Sequence, residues 1–169
     1  PDLYARNVDH RRVVAGAGFA AEGFAALFTQ ANHSRSKKGA MRGLHYQLNP
    51  HPMGKLIKVV KGRIFDVGVD IRKGSPTFGK WYGEILSGAS PKMLYFPPGF
   101  AHGFLCLEED TDVVYESTGM YSQESERGLL WNDPAIGIAW PLDQVKEVIV
   151  SEKDKKHPGI KNVETNFNF

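Results

Sequence analysis

The sequence predicts a mainly β fold, a sandwich or jelly-roll barrel with a few short helices. Between residues 54 and 114, short runs rich in β-branched and aromatic residues recur at even intervals, with glycine and proline between them. No apolar pattern of helical period extends over that span. Short strands spaced in this way bury one face against a second sheet or close into a barrel.

The elements follow in chain order. GFAAEGFAALF (18–28) is alanine-rich and reads as a short helix, despite the cost of Gly23. In MRGLHYQ (41–47), strict alternation sends Arg42, Leu44 and Tyr46 to one face and Met41, Gly43, His45 and Gln47 to the other. A polar group therefore enters the interior whichever face is buried. KLIKVVKGRIFDVGVDIR holds two strands, 56–60 and 64–71, joined around Lys61 and Gly62. GKWYGEIL, KMLYFPPGFAHGFLCL and TDVVYEST supply further strands, with turns at Gly88-Ala89, Pro97-Pro98-Gly99 and Glu109-Asp110. The tail PLDQVKEVIVSEKDKKHPGI has a helical turn at 142–145, a short extended run and a lysine-rich segment. No internal repeat or low-complexity linker divides the chain. Its 169 residues suit one domain, 1–169, with an atypical N-terminal segment (1–27) and a C-terminal tail (155–169).

Charge and cysteine content exclude several classes. Lys plus Arg 21 against Asp plus Glu 19 leaves +2, too little for a field that would hold a nucleic acid polymer or an acidic membrane. The run SRSKK (34–38) is a local patch able to meet a phosphate, or a solvated loop. Cys106 is the one cysteine, so no intramolecular disulfide or CxxC site exists, and its setting in GFLCL predicts a buried, inert thiol. With no signal peptide and no membrane-length apolar stretch, the expectation is a cytoplasmic protein, and the start at Pro1, without a Met, leads one to expect a trimmed N-terminus.

Two histidines stand out. His45 sits mid-strand, and His102 follows a Pro-Pro-Gly turn at a sheet edge or barrel mouth, where a ligand can reach it. A metal site would call for more ligands. The position two after His45 is Gln47, not a second histidine, and the next acid is far downstream, so no metal is expected and the pattern favours acid/base use of a neutral imidazole. Such a base works best with a carboxylate on its other nitrogen. Asp66, Asp70 and Asp154 are all candidates, each equally well explained as a surface charge. Tyr115 in DVVYE is a proton donor or a packed tyrosine, and Lys55 an oxyanion stabiliser or a snorkelling surface lysine.

The motifs taken together carry more. FTQANHSRSKKGAMRGLHYQ, GKLIKVVKGRIFDVGVDIRKGSPTFGKW, FPPGFAHGF, VVYESTGMYSQESERGLLWNDPAIGIAWP and SEKD resemble, in order and over about residues 28–154, the dTDP-4-dehydrorhamnose 3,5-epimerase family. The resemblance implies a metal-free, cofactor-free, cupin-like jelly roll, usually a homodimer. Its implied substrate is the sugar nucleotide dTDP-4-dehydro-6-deoxy-D-glucose. It further implies His45 as base, Asp154 as its partner, Tyr115 as proton donor on the opposite face of the sugar, and Arg42, Lys55 and His102 at the sugar and its carbonyl oxygen. Gln30 and Asn32 match the family's QDN nucleotide segment, Tyr121 the aromatic that stacks on thymine, and Glu126 and Lys153 further ligand contacts. This chain departs from the family at Ala31, where QDN has its acid, and at the N-terminus. There DHRRVV (9–14) is the nearest counterpart of D-x-R-G-x-F, with Arg11 as the corresponding phosphate contact. The resemblance leaves open an epimerase of C3 or C5 alone, a ketoisomerase on the same fold or, in a different class, a non-catalytic sugar-nucleotide binding module.

Overall fold

A computed structural model describes Arg6–Asn7 and residues 26–169. The strands are β1 (Arg6–Asn7), β2 (Gln30–Ser36), β3 (Ala40–Gln47), β4 (Lys55–Lys61), β5 (Arg63–Asp70), β6 (Trp81–Ser87), β7 (Leu94–Phe96), β8 (Phe100–Cys106), β9 (Thr111–Ser117), β10 (Glu126–Gly128) and β11 (Ile149–Val150). Short 3₁₀ turns occupy Leu142–Gln144, Asp154–Lys156 and Ile160–Asn162. The expected strands and the turn after Pro141 are all present. The helix expected at 18–28 lies outside the described residues except for 26–28, which are irregular; Arg11 and DHRRVV lie outside them as well.

Two sheets face each other. One runs β1-β7-β4-β9-β2; the other runs β10-β3-β8-β5-β6, with β11 added in parallel to β3. Their inner faces enclose a core of Ile57, Val59, Ile64, Leu86, Leu94, Phe96, Phe100, Phe104 and Val113. Cys106 is buried in it, as its sequence context predicts. The second sheet is covered on its outer face too. Met41, Leu44, Tyr46, Val67, Val69 and Leu105 pack there against Leu129, Ile136, Trp140 and Phe167 of the C-terminal third. This double coverage explains why FAHGFLC in β8 is buried at every position and reads as a continuous apolar run. Gly68 of β5 lets the sheets close up, because a β-carbon there would strike the Phe96 ring.

Alternation in β3 is not strict, which corrects the sequence expectation. Met41 shares the outer core with Leu44 and Tyr46, while Arg42 and His45, expected on opposite faces, line one cavity. The β3–β8 pairing shifts register between Arg42 and His45. Gly43 sits in the shift at φ +106, and a β-carbon on it would come within 2.6 Å of the His102 carbonyl oxygen. A one-residue slip inverts the side-chain pattern beyond it. The same strand can therefore keep its apolar residues outside and put both polar ones inside.

Candidate active site

The cavity opens between the two sheets. About 500 Å³ of it is bounded by Arg42, His45 and His102 from one sheet, Lys55 and Tyr115 from the other, and Asp154 behind them. A contiguous lobe of about 320 Å³ shares His45, Lys55 and Tyr115 and extends to Gln30, Asn32, Tyr121 and Glu126. Register places the groups: His45 lies directly opposite His102 on β3 and β8, and Tyr115 opposite both Asn32 and Ile57 on its own sheet. His45 and Tyr115 thus reach the shared space from opposite sides.

His45 and His102 each meet a different carboxylate. His45 Nε2 lies 2.7 Å from Asp154 Oδ1, while the Gly43 amide, at the break in the ladder, donates to Asp154 Oδ2 at 3.4 Å. Asp154 is 4% exposed although SEKDKK otherwise faces water. Burial alone would raise its carboxyl, but the hydrogen bond and charge of His45, with Gly43 and Ser151, outweigh burial and hold it down at about 2. A carboxylate only accepts, so His45 donates from Nε2 and keeps Nδ1 for the cavity. His102 Nε2 lies 2.7 Å from Asp66 Oδ1, in a buried pair whose histidine borders the cavity. Burial disfavours charge on both partners, raising the Asp66 carboxyl and lowering the His102 imidazole against their mutual attraction. Among the described residues Asp66 Oδ2 has no hydrogen-bond partner, which adds to the cost of charging this carboxyl. Burial also draws the Lys55 ammonium down to about 8, with Asp66 and Glu126 pulling the other way. Tyr115 is raised, chiefly by burial and against the charge of Arg42, and stays a phenol at neutral pH.

The family model for dTDP-4-dehydrorhamnose 3,5-epimerase matches residues 12–162. The chain belongs to that family. A dTDP-4-dehydrorhamnose 3,5-epimerase of Shigella flexneri is 52% identical over 127 residues, which are 75% of this chain and 68% of the relative. The structure superposes on a dTDP-6-deoxy-D-glucose-3,5-epimerase of Legionella pneumophila solved with dTDP-4-keto-L-rhamnose. The TM-score is 0.85 and the identity 40%, covering 97% of this chain and 87% of that one. It also superposes on ChmJ, a 3′-monoepimerase of Streptomyces bikiniensis solved with dTDP-quinovose, at TM-score 0.81 and 31% identity, covering 93% and 83%.

Of the residues that the resemblance singled out, Arg42, His45, Lys55, His102, Tyr115 and Asp154 line the first lobe and Gln30, Asn32, Tyr121 and Glu126 the second, whereas Lys153 lines neither. Gln30 Nε2 donates to Asn32 Oδ1 at 2.9 Å, and Gln30 Oε1 accepts the Tyr121 amide at 3.1 Å, so the start of β2 and the exposed Tyr121 form one rim. Ala31 is exposed and is absent from the cavity lining, so the family's missing acid takes nothing from this space. Lys153 and Glu126 are joined as an ion pair, and Tyr121 Oη donates to Glu126 at 3.1 Å. Arg42 Nε donates to Ser36 Oγ at 3.0 Å. In the SRSKK patch, Arg35 is taken up by Asp112 through two hydrogen bonds of 2.9 and 2.8 Å. Sequence reading missed the pairing of Asp66 with His102, and it missed His157, whose Nε2 lies 3.2 Å from Asp154 Oδ1. The four-residue spacing of Asp66 and Asp70 on a strand with apolar neighbours was the available signal for burial; nothing local marked His157. His45, Asp154 and His157 bring three ligand atoms within 4.8 Å. His45 Nε2 and Asp154 Oδ1 stand at a hydrogen-bond distance of 2.7 Å.

The depressed Asp154 carboxyl sets an acid dependence of stability. Its folded value lies below its unfolded one, so its contribution is complete above about pH 4 and is lost as pH falls towards about 2. Urea unfolding at pH 7 and pH 2 should show wild type losing roughly 2 kcal/mol more over this interval than Asp154→Asn.

Proposed function

We propose that this chain inverts C3 and C5 of dTDP-4-dehydro-6-deoxy-D-glucose, giving dTDP-4-dehydro-L-rhamnose, by proton removal next to the 4-keto group and reprotonation from the other face. The observation that carries this reading is the placement of His45, backed by Asp154, on one sheet and Tyr115 on the other across one cavity. Family membership supports it.

The chemistry follows from those placements. The keto group acidifies the hydrogens on both neighbouring carbons, and His45 Nδ1 takes one of them while Asp154 stabilises the resulting imidazolium. The electron pair moves into the carbonyl, leaving an enolate oxygen. The Lys55 ammonium offsets that charge where it forms, and His102, from its neutral pair with Asp66, offers an Nδ1–H beside it. Tyr115 then returns a proton to the carbon from the opposite side, which inverts the centre. No electrons leave the substrate, so the reaction balances without a redox cofactor. Arg42 faces the sugar, Gln30, Asn32 and Tyr121 take the nucleotide, and Glu126 with Lys153 closes the rim. Cytoplasmic operation as a single domain and a homodimer belongs to the same reading; the outer edge of β2 is where a second copy could extend the sheet.

A narrower reading, inversion at one carbon only, draws support from the likeness to the Streptomyces bikiniensis 3′-monoepimerase. The same groups would serve it, and the stereochemistry of the product at C5 separates the two.

Two sets of measurements test the assignments. His45→Asn should abolish solvent deuterium exchange at both carbons, with nucleotide affinity retained. Tyr115→Phe should keep exchange while inversion falls by about 100-fold or more, because the enolate returns only through His45. Loss of both together in Tyr115→Phe, or of neither, removes Tyr115 as donor. The second set reads Lys55. It is cationic below about pH 8 and neutral above, so wild-type turnover should decline as pH rises through that value. In Lys55→Arg, whose guanidinium keeps its proton, the decline should vanish even though overall rate is lower. A wild-type profile flat through that range contradicts the role.

A further inference from the structure

Asp154 accepts from two imidazoles, not one. His157 follows the Asp154–Lys156 turn, and its Nε2 lies 3.2 Å from Asp154 Oδ1, the same oxygen that His45 meets at 2.7 Å. The two rings stand edge to face, 5.6 Å apart at 87°. The space for the second ring is built in. Gly128 pairs with His45 across β10 and β3, and a β-carbon on Gly128 would overlap the His157 ring. The strand beside the base therefore has no side chain at the one place where the second imidazole lies.

His157 touches neither lobe of the catalytic cavity. It lines a neighbouring recess with Arg127, Lys153 and Glu164, which shares Tyr46 and Glu126 with the second lobe. The charges around it are paired: Lys153 with Glu126, and Arg127 with Glu164. Burial lowers the His157 imidazole, with His45 and Lys153 acting in the same sense and Asp154 opposing them. A neutral ring gives Asp154 one N–H and places no second cation beside the imidazolium that His45 becomes.

We infer that His157 is a positioning residue for the His45–Asp154 pair: it fixes the carboxylate through a second hydrogen bond to Oδ1 and, by sharing that oxygen, tempers the hold of Asp154 on the proton that His45 takes up. This inference rests on the reading of His45 as the base. Its consequence is for the pH at which the base works, since a carboxylate freed of the His157 donor holds the His45 proton more tightly.

The test compares His157→Ala, His157→Gln and Gly128→Ala with wild type, each in the full chain. In His157→Ala the acid limb of kcat/KM should move up by about half a pH unit, so that the rate at the foot of the limb falls about threefold with KM unchanged. His157→Gln, which keeps an N–H donor, should restore the wild-type limb. Gly128→Ala, which pushes the intact ring off its seat, should reproduce the displaced one and stands in if His157→Ala does not fold. Nitrogen-15 NMR of the imidazole N–H groups gives a readout independent of turnover: the His45 Nε2–H resonance should move downfield in His157→Ala and return in His157→Gln. That separates failure of this inference from failure of the epimerase reading. An unchanged limb and resonance in His157→Ala and Gly128→Ala, or equal displacement in the Ala and Gln variants, overturns the role.

Discussion

The hydrogen bond between His45 and Asp154 joins positions 109 residues apart, and much of the second sheet is arranged so that it can form. Asp154 can reach β3 only because β11 runs parallel to its first half, at Ala40 and Met41, and delivers the chain to the 3₁₀ turn beside it. β10 pairs with the second half, from His45 to Gln47. Between these two contacts lies the register shift at Gly43, whose amide Asp154 accepts. One irregularity thus turns His45 into the cavity, brings Arg42 to the same side and supplies a donor to the carboxylate that holds the His45 ring.

Burying charge at such a site is costly unless every charge has a partner, and the molecule meets that requirement in more than one way. Asp154 stays ionised, held by donors on both oxygens. Asp66 sits deeper, and burial moves it and His102 towards neutrality together. Asp70, equally buried, is an ionised anchor: Arg72 grips it at 3.0 and 2.7 Å, and Ser75 and Thr77 donate at 2.6 and 2.7 Å. Those bonds outweigh the burial that would raise its carboxyl and hold it low. The first arrangement suits proton transfer, the second a neutral donor network, and the third fixes the loop leading into β6.

Much of this was legible in the sequence because β-strands write their burial in local patterns. The strands from β4 to β9 declare themselves through β-branched runs and turn residues, and the ordered set of motifs carries the family. What stayed hidden depends on long-range geometry. Period-2 reading of MRGLHYQ fails at Gly43, because a bulge is set by the neighbouring strand and leaves only a glycine as its trace. Asp154 in SEKDKK looks like one solvated charge among several until β11 brings it against β3, and His157 becomes visible only when Gly128 is seen opposite His45. Asp66 was a candidate without a partner, since its distance from His102 is a property of the β5–β8 register.

The two-sheet architecture gives inversion a physical basis: a flat enolate held between the layers meets a base from one side and an acid from the other. The most direct test is turnover of dTDP-4-dehydro-6-deoxy-D-glucose by wild-type protein in D₂O, with NMR of the product. The account predicts solvent deuterium at both C3 and C5, each on an inverted carbon. Product with protium retained at either carbon, or deuterium on uninverted centres, would contradict it.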